Sequence, residues 1–219
     1  MTGLTLIGFQ DSVYTRAVRL ALSEKALAYA YDEVNPFTED GQARLAGDHP
    51  FGRVPVLRHE AFDLYETQAI LGYLDDAFDA PQLFPEDARA RARVRQVMGI
   101  TDSYLYQPLV RQVFSHGVYR AHMGLAAEAA VLRQGLAASG PVLDALEGIA
   151  AAGLVLTGRD VSRADCLLAP MIDYFALVPE GRAMLEARPA LSRWFAGISA
   201  RAAFAETRPG FVAVLEGGR

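Results

Sequence analysis

The sequence predicts an α/β unit over residues 1–78, a linker over 79–87 and an all-α domain over 88–219. Three observations predict it. Strand-like and helix-like segments follow one another as β-α-β-α-β-β-α within the first 78 residues, an order that builds one small sheet covered by helices. No Gly-rich turn follows the first strand, which argues against a dinucleotide-binding unit. Beyond residue 87 every segment reads as helix.

Residues 4–9 (LTLIGF) form a short apolar run rich in β-formers and bounded by Gly3 and Gln10-Asp11-Ser12, which reads as a buried strand. In the following SVYTRAVRLALSEKAL, Val13, Ala17, Leu20 and Ala21 recur at helical spacing, and Ser12 stands where an N-cap belongs. Residues 29–34 read as a second strand ended by Asn35-Pro36, and 39–46 as a short helix. Asp48-His49-Pro50-Phe51-Gly52 is turn chemistry. Residues 54–57 look like a strand, but proline cannot donate to a ladder, so the strand lies at an edge or Pro55 has a special backbone role. Glu60-Ala61 turns the chain into Phe62-Asp63-Leu64-Tyr65, a hairpin, and 66–78 is a helix with Ile70, Leu71, Leu74 and Phe78 on one face. After the Pro-containing linker DAPQLFPED, a long helix over 88–107 carries Arg89, Arg91, Arg93 and Arg95, read as a solvated face. Pro108 should kink or end it near Leu105, although 109–114 can continue past it. Further helices are expected over 125–151, 162–175, 179–186 and 189–203.

Composition excludes several classes. Of 219 residues, 52% are hydrophobic and 21% charged, the balance of a globular chain rather than a disordered one. A single cysteine cannot form an internal disulfide or a Cys-rich zinc site, and the four histidines lack metal-site spacing, so no metal is expected. The net charge of −5 offers no basic excess for gripping nucleic acid. Residues 1–80 hold six Lys/Arg against thirteen Asp/Glu, whereas 81–219 hold fifteen against thirteen, which fits two parts with separate surfaces. No apolar run approaches the roughly 20 residues of a membrane span, and the first residues lack the pattern of a signal peptide, so a cytoplasmic protein is expected.

Four local features bear on chemistry. Ser12, between strand and helix, is either a plain cap or a hydroxyl placed at a helix end with free N–H groups, where it can donate to a thiolate. Val54-Pro55 is either an edge-strand proline or a cis turn that leaves the Val54 main chain free to pair with an extended peptide. Glu66-Thr67 opens a helix whose N–H groups and Thr67 hydroxyl can bind a carboxylate while Glu66 accepts from an amine, or it is only a cap. Ser162-Arg163-Ala164-Asp165 is a capping box, with Val161 and Cys166 as its hydrophobic staple, and is read as structural. Cys166 is expected to be a small buried hydrophobe; His116 and His122 are read as surface or core histidines.

In combined order these segments resemble the glutathione transferases, particularly the serine-type phi class of plants and related bacterial proteins. SVYTRAVRLALSEKAL is similar to the family's first helix, HPFGRVPVL to its N-P-x-G-x-V-P segment, LYETQAILGYL to its L-x-E-[ST]-x-A-I motif and GRDVSRADCLLAPMIDY to its second-domain capping motif. The resemblance implies a thioredoxin-like first domain with a glutathione site, an all-α second domain and a hydrophobic pocket between them. It implies that Ser12 hydrogen-bonds the glutathione sulfur, that the Val54 main chain pairs with the cysteinyl part beside a cis-Pro55, that Glu66 and Thr67 hold the γ-glutamyl end, and that Arg53 reaches the ligand. It implies a homodimer with Phe51 plugged into the partner. The basic pair that the phi class uses for the glycyl carboxylate is absent near Asp40-Gly41, leaving Arg16, Arg44 or Arg53 as substitutes. Tyr14 sits where some bacterial members keep a cysteine and so lies near the sulfur.

The expected chemistry is attack of a thiolate, stabilised by Ser12, the amide dipoles at the start of the first helix and Arg16, on a small hydrophobic electrophile, with Ser12 as donor rather than nucleophile and glutathione as co-substrate. The pocket is expected to be lined by Tyr14, Phe37, Tyr104, Tyr106, Val110 and Phe114, residues that read equally as core. Peroxide reduction, isomerisation and dehalogenation use similar serine sites, and a non-catalytic binding module is the remaining alternative.

Overall fold

The computed structural model describes residues 3–79 and 81–217; expectations that fall on residues 1–2, 80 and 218–219 lie outside the described residues. Four strands form one mixed sheet: β1 (Leu4–Gly8), β2 (Ala30–Glu33), β3 (Val56–His59) and β4 (Phe62–Tyr65), in the order β2-β1-β3-β4. β1 runs parallel to β2 and antiparallel to β3, and β3 pairs antiparallel with β4. The apolar run at 4–8 is explained by this position, since a central strand is covered on both faces. Leu4 and Leu6 belong to the large core, while Ile7 packs with Val34, Leu45 and Val56 on the other side.

The edge-strand reading of Pro55 is corrected. β3 is internal, paired on both sides, and its first ladder residue is Val56, opposite Ile7 and Tyr65. Pro55 precedes the ladder, and the Val54-Pro55 bond is cis.

α1 (Val13–Glu24), α2 (Glu39–Leu45) and α3 (Thr67–Ala77) complete the first part. α1 is buried over most of its circumference, because it lies between the sheet with α3 and a helix of the second part. Glu66 stands outside α3 as its N-cap, at φ 70°.

The second part is helical, as expected. α4 is one continuous rod of three consecutive stretches, Ala88–Ile100, Thr101–Tyr119 and Arg120–His122. The middle stretch has wide, π-type turns and contains the buried Pro108; a proline ring clashes with the i−4 carbonyl of a regular turn, and the wider turn gives it room. α5 (Ala129–Ala151) begins four residues later than the pattern suggested. Gly124 leaves the rod at φ +69°, and the Glu128 N–H is taken by His116 Nδ1 at 3.0 Å. α6 (Arg163–Phe175) and α7 (Pro179–Glu186) fall where expected. The helix expected over 189–203 is two, α8 (Pro189–Ser199) and α9 (Ala202–Glu206), broken where Arg201 turns to grip Glu24 at 2.6–2.7 Å. α10 (Gly210–Gly217) has no counterpart in the sequence reading.

The capping box is present: Asp165 accepts from the Ser162 N–H at 2.8 Å and also takes the Trp194 indole N–H at 2.6 Å. Cys166 is buried, and burial pushes its thiol well up, away from reactivity.

Two buried ionic groups tie the parts together. Lys25 Nζ and Arg163 Nε both reach Asp75, at 2.9 and 2.6 Å, and Asp75 also accepts the Leu83 N–H of the linker at 3.0 Å. Arg16, on α1, donates to Asp173 on α6 at 2.6 Å and to the Phe204 carbonyl at 3.2 Å. Arg91 and Arg95 lay their guanidinium groups over Phe84 and otherwise face solvent.

Candidate active site

The two parts enclose a cleft of about 730 Å³. Its first-domain wall is built where chain segments end. β1 delivers Phe9, Asp11 and Ser12 to the start of α1; the turn before β3 delivers His49, Arg53, Val54 and Pro55; the end of β4 delivers Glu66, Thr67 and Gln68 to the start of α3. Two helix N-termini therefore open on one cavity, each with unpaired N–H groups and a partial positive charge.

Ser12 is the N-cap of α1, and its Oγ accepts the Thr15 N–H at 3.3 Å. A hydroxyl has two lone pairs and one proton, so this cap bond uses a lone pair and leaves the O–H available to donate. The two sequence readings of Ser12 are thus compatible. Among the described hydrogen bonds none takes the Val54 N–H or C=O, so that main-chain edge faces the cleft unpaired. Thr67 is buried at the first position of α3, and Glu66 is exposed beside it.

Arg53 lines the cleft and is exposed, without an ion-pair partner among the described residues. The other two cations offered for a carboxylate are committed elsewhere, which corrects that expectation. Arg16 is fully buried against Asp173 and does not line the cleft. Arg44 holds Asp32 through one nitrogen at 2.7 Å to both carboxylate oxygens and also reaches the Glu33 carbonyl. His49 lines the cleft beside Arg53. Its Nδ1 accepts the Phe51 N–H at 3.2 Å, its ring stacks on Tyr65, and burial lowers its pKa against the opposing pull of Glu66. It is then a neutral ring whose second nitrogen carries the proton.

The opposite wall comes from α4 in two rows spaced by four residues, Asp102, Tyr106, Val110 and Phe114 beside Gln107, Arg111, Ser115 and Tyr119. Tyr14, Phe37, Tyr106, Val110 and Phe114 line the cleft, Val110 and Phe114 being mostly buried. Tyr104 is corrected: it is 66% exposed and outside the cleft, because two residues along a helix is about half a turn. Tyr14 packs at a tilt on Tyr106 with ring centroids 5.0 Å apart, and burial together with the charge of Asp102 pushes its phenol upward. Asp102 accepts from Gln68 Nε2 at 2.6 Å, a tie across the cleft.

Sequence reasoning missed the polar part of this wall. Asp11, Gln107, Arg111, Ser115, Tyr119 and Tyr174 all line the cavity, so it is not the hydrophobic pocket expected. Asp11 was legible only as the residue before Ser12; the tyrosines that meet it come from 108 and 163 residues away. No group of His, Cys, Asp or Glu among the described residues is arranged to hold a metal ion.

The cavity is walled by two helix starts and a cis-proline turn and lies under a helical second domain. Models of the glutathione S-transferase N-terminal and C-terminal domains match residues 6–82 and 129–197. The chain belongs to the glutathione transferase family, on its phi-like side. It is 28% identical over 195 residues to glutathione S-transferase F10 of Arabidopsis thaliana, covering 87% of this chain and 89% of that one. It is also 28% identical over 175 residues to a stringent starvation protein A homolog of Pasteurella multocida, covering 77% and 73%. The solved structure of glutathione S-transferase III in apo form superposes with a TM-score of 0.82 at 26% identity, over 97% of this chain and 96% of that one.

Proposed function

We propose that this chain conjugates the thiolate of glutathione to small electrophiles in the interdomain cleft. The observation that carries the reading is the convergence of Ser12, the unpaired Val54 main chain and the Glu66-Thr67 helix start on one cavity. The N–H groups of α3 and the Thr67 hydroxyl bind the γ-glutamyl carboxylate, Glu66 accepts from the α-amino group, and Val54 pairs with the cysteinyl peptide unit. Arg53, with the His49 ring N–H, is assigned the glycyl carboxylate.

The sulfur then lies at the start of α1. A free thiol has a pKa of about 8.5, and lowering it by two units takes about 2.7 kcal/mol. One hydrogen bond from an alcohol to an anion contributes about 1.5–3 kcal/mol, and a helix end about 0.3–1 kcal/mol. Ser12 and α1 together supply that range, so Ser12 acts as donor and not as nucleophile. Tyr14, engaged with Asp102, shapes the electrophile side. Peroxide reduction, isomerisation and dehalogenation draw on the same thiolate.

A non-catalytic role is the second reading, favoured by the absence of a basic pair for the glycyl carboxylate near Asp40-Gly41. Thermal unfolding with millimolar glutathione separates ligand-binding from ligand-free readings. At a hundredfold excess over Kd, binding adds about 2.7 kcal/mol, a rise in Tm of about 5–10 °C for a chain of this size. No rise contradicts conjugation. A homodimer is part of the proposal, with Phe51 at its interface.

A further inference from the structure

Asp11 is the cleft residue to which the glutathione site gives no task. It is half-buried and lines the cleft next to Ser12, on the wall that Tyr119 and Tyr174 also line. The Tyr119 hydroxyl donates to its Oδ2 at 3.0 Å, and the Tyr174 hydroxyl donates to its main-chain carbonyl at 3.2 Å. Two tyrosines from α4 and α6 thus fix both ends of the residue, while Oδ1 has no partner among the described residues. The titratable groups facing it are Tyr119 and His122 from α4, Tyr174 from α6 and Glu33 from β2. Burial raises the carboxyl above its ordinary range, Glu33 adds to this, and the Tyr119 bond and His122 oppose it. A carboxyl in that setting exchanges protons nearer neutrality than a surface aspartate does.

Resting on the conjugation reading above, the geometry points to Asp11 as the proton carrier of the reaction, suited to electrophiles that gain an oxyanion as the C–S bond forms, epoxides foremost. The sulfur of the bound thiolate forms the C–S bond, the epoxide C–O bond breaks with its pair on oxygen, and the protonated Asp11 carboxyl gives its proton to that alkoxide. Solvent takes up the thiol proton when glutathione binds and returns one to Asp11 after the reaction. The products are a hydroxy thioether and the reprotonated carboxyl, and no further reactant is consumed. Displacement of an aryl halide expels an anion that needs no proton, so it gains nothing from this transfer.

The test compares kcat/KM for styrene oxide and for chlorodinitrobenzene in the wild type, Asp11→Asn, Asp11→Glu and Tyr119→Phe, after glutathione binding to each has been measured by calorimetry. General acid catalysis is worth about 10²-fold or more, so the epoxide-to-halide ratio is expected to fall about a hundredfold in Asp11→Asn and to recover partly in Asp11→Glu. In Tyr119→Phe the carboxylate loses a donor, its pKa rises, and the limb on which epoxide opening falls with rising pH moves to higher pH. A ratio within about threefold of the wild type in Asp11→Asn, an unmoved limb in Tyr119→Phe, or wild-type protein that binds glutathione yet opens no epoxide overturns the proposal while conjugation stands. Failure of the wild type to bind glutathione overturns both.

Discussion

A serine hydroxyl offers one proton and two lone pairs, and Ser12 divides them between two tasks. The Thr15 N–H occupies a lone pair, and the proton is left for an anion at the start of α1. The same economy explains what was legible at this scale. Ser12, Val54, Pro55 and Thr67 stand at chain ends and turns, where local sequence decides conformation, and all reach the cleft. Arg16 and Arg44 did not behave as free cations because their partners, Asp173 and Asp32, are brought to them by the tertiary fold. Their charge is visible in the sequence and their pairing is not. The polar residues of α4 were passed over for the opposite reason: nothing in the local sequence shows that a second wall covers Gln107, Arg111 and Ser115.

At the scale of elements, α1 explains why the site depends on the second domain. The helix that carries Ser12 is held at its next turn by Arg16, wholly buried between Asp173 and the Phe204 carbonyl. Asp173 also holds Arg208, through Oδ1 at 3.0 Å. The two ends of this tie are therefore unequal. Asp173→Ala strands a buried guanidinium and is expected to cost about 3–5 kcal/mol, whereas Arg16→Met leaves Asp173 paired with Arg208 and is expected to cost clearly less. Denaturant unfolding of both variants checks the order, and equal losses contradict it. The helices and strands themselves were legible wherever period and punctuation agreed, as in β1, α1, α3, α6 and α7. They were not where a side chain reaching across the fold sets the boundary: His116 receives the start of α5, and Arg201 breaks the 189–203 segment to reach Glu24. At Gly135 the reason is steric, since a Cβ there would lie 2.6 Å from Gln112 Cβ, so α5 and α4 approach as closely as their backbones allow.

At the scale of the whole molecule, the α/β and all-α division was readable because the change of period at the linker is abrupt. The cleft's mixed polarity was not, because it arises only when the two parts close on each other. No helix among the described residues is long and apolar enough to cross a membrane. The surface of the first domain carries its own signal. Phe51 is 70% exposed and packs edge-on to Tyr65. Large aromatic side chains left in water in this way mark association surfaces. Phe51→Ser is expected to shift the protein from dimer to monomer in sedimentation equilibrium at micromolar concentration; a wild-type protein already monomeric there contradicts the proposed dimer.

The proposed function turns on an alcohol at a helix start that stabilises the ionised sulfur of glutathione. Ultraviolet titration of the bound thiol measures this directly, in the wild type and in Ser12→Ala. The wild type is expected to ionise bound glutathione about two units below the free value of about 8.5, and Ser12→Ala to move that midpoint back up by about one unit or more. The same midpoint in both proteins contradicts the claim.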